Sequence, residues 1–249
     1  VADDSETEPG PAVASVTGMT ARIGVREYFA SELLWNANYL VEMAEAREAA
    51  LLGEGFRGVD RVLRAQVVSS IFQSVAFLEA YANGVWGDAA VADPTSPPSI
   101  PQLTGLSTDA LRRLKELWNT QRVERALSVV EKFQVALTCV NQDRIDMGSE
   151  PGQTVAAMIR LRNDLMHFKP KTNWSDEQHH LQQVLQPRLG VNPLTNSAPW
   201  FPHQVLTPKC ARLAYEAVRA FGAEWRTRMG IDWGPASEHT GLTDQIPTD

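Results

Sequence analysis

The chain has 249 residues, 43% hydrophobic and 21% charged, enough to bury one good core and too few to require two domains. No run approaches the ~20 apolar residues of a membrane-spanning helix, and Val1 to Thr20 has neither the basic start nor the apolar stretch of a secretory leader, so the expectation is a cytoplasmic protein without membrane contact. The formal net charge of −7 is concentrated at the ends: Asp3, Asp4, Glu6, Glu8, Glu238, Asp244 and Asp249 account for seven of 30 acidic residues and leave 23 against 23 basic ones, which argues against broad attraction to phosphate backbones but not against a local arginine site.

Residues 1–20 are small, acidic and rich in Pro and Gly, and bury too little to offset the entropy of ordering, so they read as a tail. From Arg22 to Leu52 the apolar positions Ile23, Tyr28, Leu33, Leu34, Tyr39, Leu40 and Met43 follow a helical period that stops at Gly53 and Gly55. A second helix is expected from Val59, with Val67, Ile71, Val75, Leu78, Ala82 and Val85 at spacings of three and four; Phe72, Phe77 and Tyr81 widen that face, as in a central core helix. Gly84 and Gly87 are read as its close, before the proline-dense loop Asp93 to Pro101.

Ser107 is a plausible N-cap for one or two helices that turn Leu111, Leu114, Val123, Leu127, Val130, Phe133 and Leu137 inward, with a break near Asn119. A polar turn from Asn141 to Gly152 leads into a helix that ends before Lys169-Pro170-Lys171. A short amphipathic stretch over Ser175 to Leu185, an irregular connection through Trp200-Phe201-Pro202 that packs rather than binds, and a last helix from Thr207 to Met229 complete the chain. With no alternating strand pattern and no fixed-period repeat, the fold class is all-α: one bundle of five to seven helices over residues 21–230, with a second acidic tail over 231–249. Cys139 and Cys210, far apart and without metal-ligand neighbours, read as buried thiols.

The stretch Arg160 to Pro170 carries the most chemistry. At about 100 degrees per residue, Met158, Leu161, Leu165 and Phe168 fall on one stripe, while Arg160, Asn163, Asp164 and His167 fall opposite. Asn163 and His167, at i and i+4, can touch, so the amide could orient the imidazole. Arg162 lies about 140 degrees around the helix from His167. The two meet only if the helix end is distorted, if the long side chain wraps, or if a second subunit supplies a copy of the face.

Arg162-Asn163-Asp164-Leu165-Met166-His167 resembles the R-x-x-x-x-H motif of the HEPN superfamily, in which a polar residue follows the Arg. The apolar helix Ser69 to Tyr81, with its Leu-Glu-Ala core, and the segment Glu131 to Leu137 are similar to the helices that precede that motif; the likeness covers 59–171. One departure is Lys169, where a toxin branch of the superfamily carries Tyr. The resemblance implies a helical bundle, commonly a homodimer with paired motifs across the interface, cleaving RNA without a metal in many members. It also implies toxin or defence roles and a protein regulator or antitoxin as partner.

On that reading His167 is the acid or base, Arg162 the phosphate clamp and Asn163 the orienting group, with Asp164, Lys169 and Lys171 toward the substrate. Trp174 adds a surface for stacking, or the same loop is simply solvated. Neither a cofactor nor a metal is expected: the adjacent His179 and His180, placed on a helix, would point in different directions and form a solvated face. Glu79, inside an apolar helix, either pairs with an Arg or faces solvent. Two other readings stand beside the endoribonuclease: a non-catalytic helical module binding a protein partner or nucleotide, and a purely structural bundle in which Arg162 pairs internally with a carboxylate.

Overall fold

The computed structural model describes residues 26–121, 123–170, 172 and 178–232. Both acidic tails, Ile23, Lys171 and Trp174 lie outside them. Among the described residues there are no strands. Eight α-helices follow one another: α1 (Ala30–Gly53), α2 (Arg61–Val91), α3 (Thr108–Gln121), α4 (Val123–Ala126), α5 (Val129–Cys139), α6 (Gly152–Met166), α7 (Gln182–Leu189) and α8 (Pro208–Met229). The all-α bundle is as expected; the eight described segments stand one above five to seven, with the single turn α4 counted apart from α3 across residue 122, which lies outside the described residues. No helix among the described residues is long and apolar enough to cross a membrane.

Helix α2 is the axis, packed against α1, α3, α5, α6 and α8. Asp60 caps it, its carboxylate accepting the Leu63 amide at 2.7 Å while Arg47 holds the same group. Contrary to the expected close at Gly84 and Gly87, α2 runs on to Val91, since Val85, Trp86 and Ala89 are fully buried and tertiary packing outweighs the glycine penalty. Gly84 serves close packing instead: a Cβ there would lie 2.9 Å from the Gln102 Oε1. The first helix also starts later than expected, at Ala30, because Tyr28 and Arg26 lead in without helical structure and converge on buried Asp88, to which Tyr28 donates at 3.0 Å.

Two apolar clusters share the α2 axis. One surrounds Tyr81, Phe133, Phe221 and Trp225, whose rings meet edge to face; the Trp225 indole donates to the Phe133 carbonyl at 3.0 Å. The other joins Val67 and Ile71 of α2 to Met158 and Leu161 of α6, to Trp200 and Phe201, and to Cys210 and Ala214 of α8. Both cysteines are buried thiols, raised by desolvation to about 11 for Cys139 and about 12 for Cys210.

The break expected near Asn119 does not fall there: helix continues through Gln121 and again over Val123–Ala126, with residue 122 outside the described set, and α5 then opens on a capping box of Ser128 and Glu131. The short helix expected over Ser175 to Leu185 is displaced to Gln182–Leu189, its first residues lying outside the described set. The last helix matches its expected span, with Thr207 accepting the Cys210 amide and Pro208 at the first turn. These packings fix α6 with its N-terminal turns in the core and its last turn at the surface.

Candidate functional site

Helix α6 starts under a tight loop: a Cβ on Gly152 would sit 2.5 Å from the Asp146 carbonyl oxygen, so only glycine allows that approach. Thr154, Val155, Ala157, Met158 and Leu161 are buried, and Leu165 is half-buried. The expected apolar stripe ends there. Phe168, read as inward, is exposed because the helix stops at Met166, although its ring still approaches Phe201 at 6.1 Å. His167 is the C-cap, with φ −103° and ψ 27°, and its amide donates to the Asn163 carbonyl at 2.9 Å.

The last turn of α6 divides its polar groups between two hollows. On one side Arg162 points back to α2, its guanidinium donating to the Glu79 carboxylate at 3.3 Å with the two side chains 17% and 50% exposed. These groups line a hollow of about 270 Å³ with Phe72, Gln73, Ala76 and Met166. On the other side Asn163, Asp164, His167, Phe168 and Lys169 line a cleft of about 600 Å³, whose far wall is Gln178, His179, His180 and Phe201. Arg162 is not part of that cleft, in keeping with the roughly 140-degree separation expected of an ideal helix. Within one chain, Arg162 and His167 do not face a common point. The alternative of an internal carboxylate partner for Arg162 is realised in Glu79.

The remaining expected site residues are divided as follows. Asn163 and His167 share the cleft, but no hydrogen bond joins the amide to the ring, so the expected orienting contact is absent. Lys169 is exposed at the rim, and Lys171 lies outside the described residues. Asp164 turns not toward open space but toward two imidazoles: its Oδ2 lies 3.3 Å from His180 Nε2 and 3.7 Å from His179 Nε2.

The His179-His180 pair is the part of the site that sequence reasoning missed. The two residues precede α7 rather than lying on a helix, so the argument that neighbours diverge does not apply, and their rings are 4.4 Å apart. His179 is clamped against Phe201, with ring centroids 4.3 Å apart and planes 17° from parallel, and lies 5.6 Å from Trp200. Trp200 and Phe201 pack the long connection, as expected, and in doing so also build the cleft wall. The signal available in the sequence was the histidine pair fifteen residues after Asp164, but nothing periodic connects positions on either side of 171–177.

The cleft therefore offers imidazoles, a lysine and an apolar wall, a set able to move protons and to meet an anionic group. Comparison of the chain with family models, with curated proteins and with solved structures finds no match. Fold and site define a helical-bundle protein with a histidine-lined cleft at the C-terminal end of one helix.

Proposed function

We propose that this protein is a HEPN-like RNA-processing protein of the metal-independent endoribonuclease type, with His167 as its proton-transfer group. The observation that supports the reading is that Asn163, His167 and Lys169 of the motif stretch line one open cleft of about 600 Å³, within the size range of small-ligand sites, with further imidazoles across from them. In the proposed step one imidazole takes the proton of a ribose 2′-hydroxyl, the freed oxygen attacks the adjacent phosphorus, and a second, protonated imidazole gives its proton to the departing 5′-oxygen. Lys169 meets the phosphate charge within the chain. Arg162 opens on a different hollow, so in this reading its guanidinium reaches the phosphate from a second copy in a homodimer.

A second reading is a non-catalytic module that binds a nucleotide or protein partner, and the Arg162–Glu79 pair favours it, because the guanidinium is already satisfied by its own chain. One experiment separates the two. Purified full-length protein, shown dimeric by light scattering, is expected to cut single-stranded RNA in the presence of a chelator, and His167→Ala to abolish cutting with helicity unchanged. If wild type and variant are equally inert across varied RNAs, the enzyme reading fails and the binding module stands.

A further inference from the structure

Asp164, His179 and His180 have a geometry that neither the RNA reading nor the packing of the chain requires. One carboxylate oxygen and one nitrogen from each imidazole all lie within 4.8 Å of one another. The two oxygen-to-nitrogen distances are 3.3 and 3.7 Å. A tetrahedral ion with metal–nitrogen and metal–oxygen bonds of about 2.0–2.2 Å sets its ligand atoms roughly 3.3–3.6 Å apart. Two of the three donor separations thus match the ligand spacing of such an ion, and no pair of the donors is farther apart than 4.8 Å.

The ordinary explanation of a histidine beside an aspartate is an N–H to oxygen hydrogen bond, and it does not account for this cluster. Asp164 Oδ2 is buried and has no hydrogen-bond partner, although two ring nitrogens stand next to it. The rings approach the oxygen without pointing an N–H at it. A cation between the three groups satisfies the orphaned oxygen. The surroundings fit as well: His179 is only 12% exposed and its ring plane is held by Phe201, the kind of apolar support that orients a ligand imidazole. His180 is 57% exposed, so the ion has a route in. One contact must yield, the Leu181 amide donating to His179 Nδ1 at 3.3 Å, since a ring that binds metal through Nε2 carries its proton on Nδ1; at that length it is a weak competitor.

We propose that Asp164, His179 and His180 form a binding site for one divalent transition-metal ion of the zinc class. Two imidazoles and a carboxylate select borderline ions such as Zn²⁺ and Co²⁺ over Mg²⁺ or Ca²⁺. The ion ties the last turn of α6 to the residues preceding α7, closing the chain on either side of 171–177, and turns its remaining coordination toward the cleft. The proposal does not rest on the RNA reading, and His167 is not among the ligands.

The test is titration of untagged, chelator-stripped full-length protein with Co²⁺, read by visible absorption, followed by displacement with Zn²⁺. The expected result is one Co²⁺ per chain with the intense bands of four- or five-coordinate cobalt, bleached by one equivalent of Zn²⁺. Asp164→Asn and His180→Ala should each weaken binding on the order of 100-fold, no less than loss of a supporting group outside a metal's ligand set. His203→Ala, whose ring instead meets Arg64, should leave binding unchanged. Far-UV circular dichroism confirms that each variant is folded, and the isosteric Asp164→Asn is chosen so that its loss of binding is not loss of fold. Absence of cobalt bands, or binding that Asp164→Asn leaves within twofold, overturns the proposal, the second outcome reducing the site to an adjacent histidine pair. RNA cleavage is not part of the readout, so an inert nuclease leaves the result intact.

Discussion

The separation of Arg162 from the His167 cleft depends on Glu79, and the strength of that pair can be measured by a double-mutant cycle. Glu79→Gln and Arg162→Met remove one charge each while keeping most of the packing volume. At the observed 3.3 Å the Coulomb attraction is about 1.3 kcal/mol in bulk water and about 5 kcal/mol at an effective dielectric of 20. Half of the Glu79 side chain is in solvent, so the net value belongs at the low end, with measured exposed pairs at about 0.2–1 kcal/mol. We expect a coupling near the top of that range, because Arg162 itself is mostly covered. Urea unfolding followed by far-UV circular dichroism supplies the four stabilities, and repeating it at 1 M salt, where the Debye length falls to about 3 Å, should shrink the coupling. A coupling indistinguishable from zero at low salt would refute the reasoning: the guanidinium would not be held on the α2 side, and the two-hollow description of the site would lose its basis. A coupling above about 3 kcal/mol would refute it differently, by showing the pair to be effectively buried.

Two further outcomes follow from groups outside the cleft. His203 is pushed below its ordinary pKa of 6.5 by desolvation first and by the Arg64 guanidinium second, which donates to its Nδ1 at 2.9 Å. The unfolded chain therefore takes up that proton more readily, so the contribution is complete above pH 6.5 and is lost as pH falls through the folded-state value. Urea midpoints between pH 7.5 and 5 should fall more steeply for wild type than for His203→Asn, and equal slopes would show that the ring does not titrate with folding. Gly105→Ala should cost more than about 2 kcal/mol, since φ is +99° and the new Cβ would lie 1.9 Å from the Gly230 carbonyl oxygen. Gly55→Ala, at φ +71° with nothing within 4 Å, should cost only the backbone term of about 1–2 kcal/mol. Thermal melts of the two variants check the difference, and equal losses would mean that the Gly105–Gly230 approach is not tight.

What could be read in the sequence was whatever local physics decides. The final helix is marked at both ends by chemistry that acts within a turn: the Thr207 hydroxyl cap and Pro208 at its start, and Gly230 in the left-handed region after Met229. That Arg162 and His167 open on different hollows was also legible, because the helix period alone sets them apart. Where packing overrides propensity, local reading failed: Gly84 and Gly87 look like stops, yet the buried faces of Val85 and Trp86 carry α2 past them. The grouping of Asp164 with His179 and His180 was not legible at all, since it depends on how Phe201, more than twenty residues further on, fixes the imidazole from behind.

The end of α6 shows why a short motif does not specify a site. Two of the charged groups there lie beside groups of opposite or titratable character on another element: Arg162 meets Glu79 of α2, and Asp164 lies next to the imidazoles that precede α7. An anion entering the cleft thus meets a surface whose charges are partly neutralised in advance, and its binding depends on how easily those pairs open. The Arg162–Glu79 pair has its carboxylate half in solvent and is worth about 1 kcal/mol or less, so redirecting the guanidinium costs little. The Asp164 carboxylate is the harder obstacle, since it would repel a phosphate unless the imidazoles are protonated or a cation is held between them. A metal at Asp164, His179 and His180 removes that repulsion but takes up the imidazoles from which the proposed proton donor comes, so the ion and the metal-independent RNA chemistry, tested separately, are competing states of one cleft.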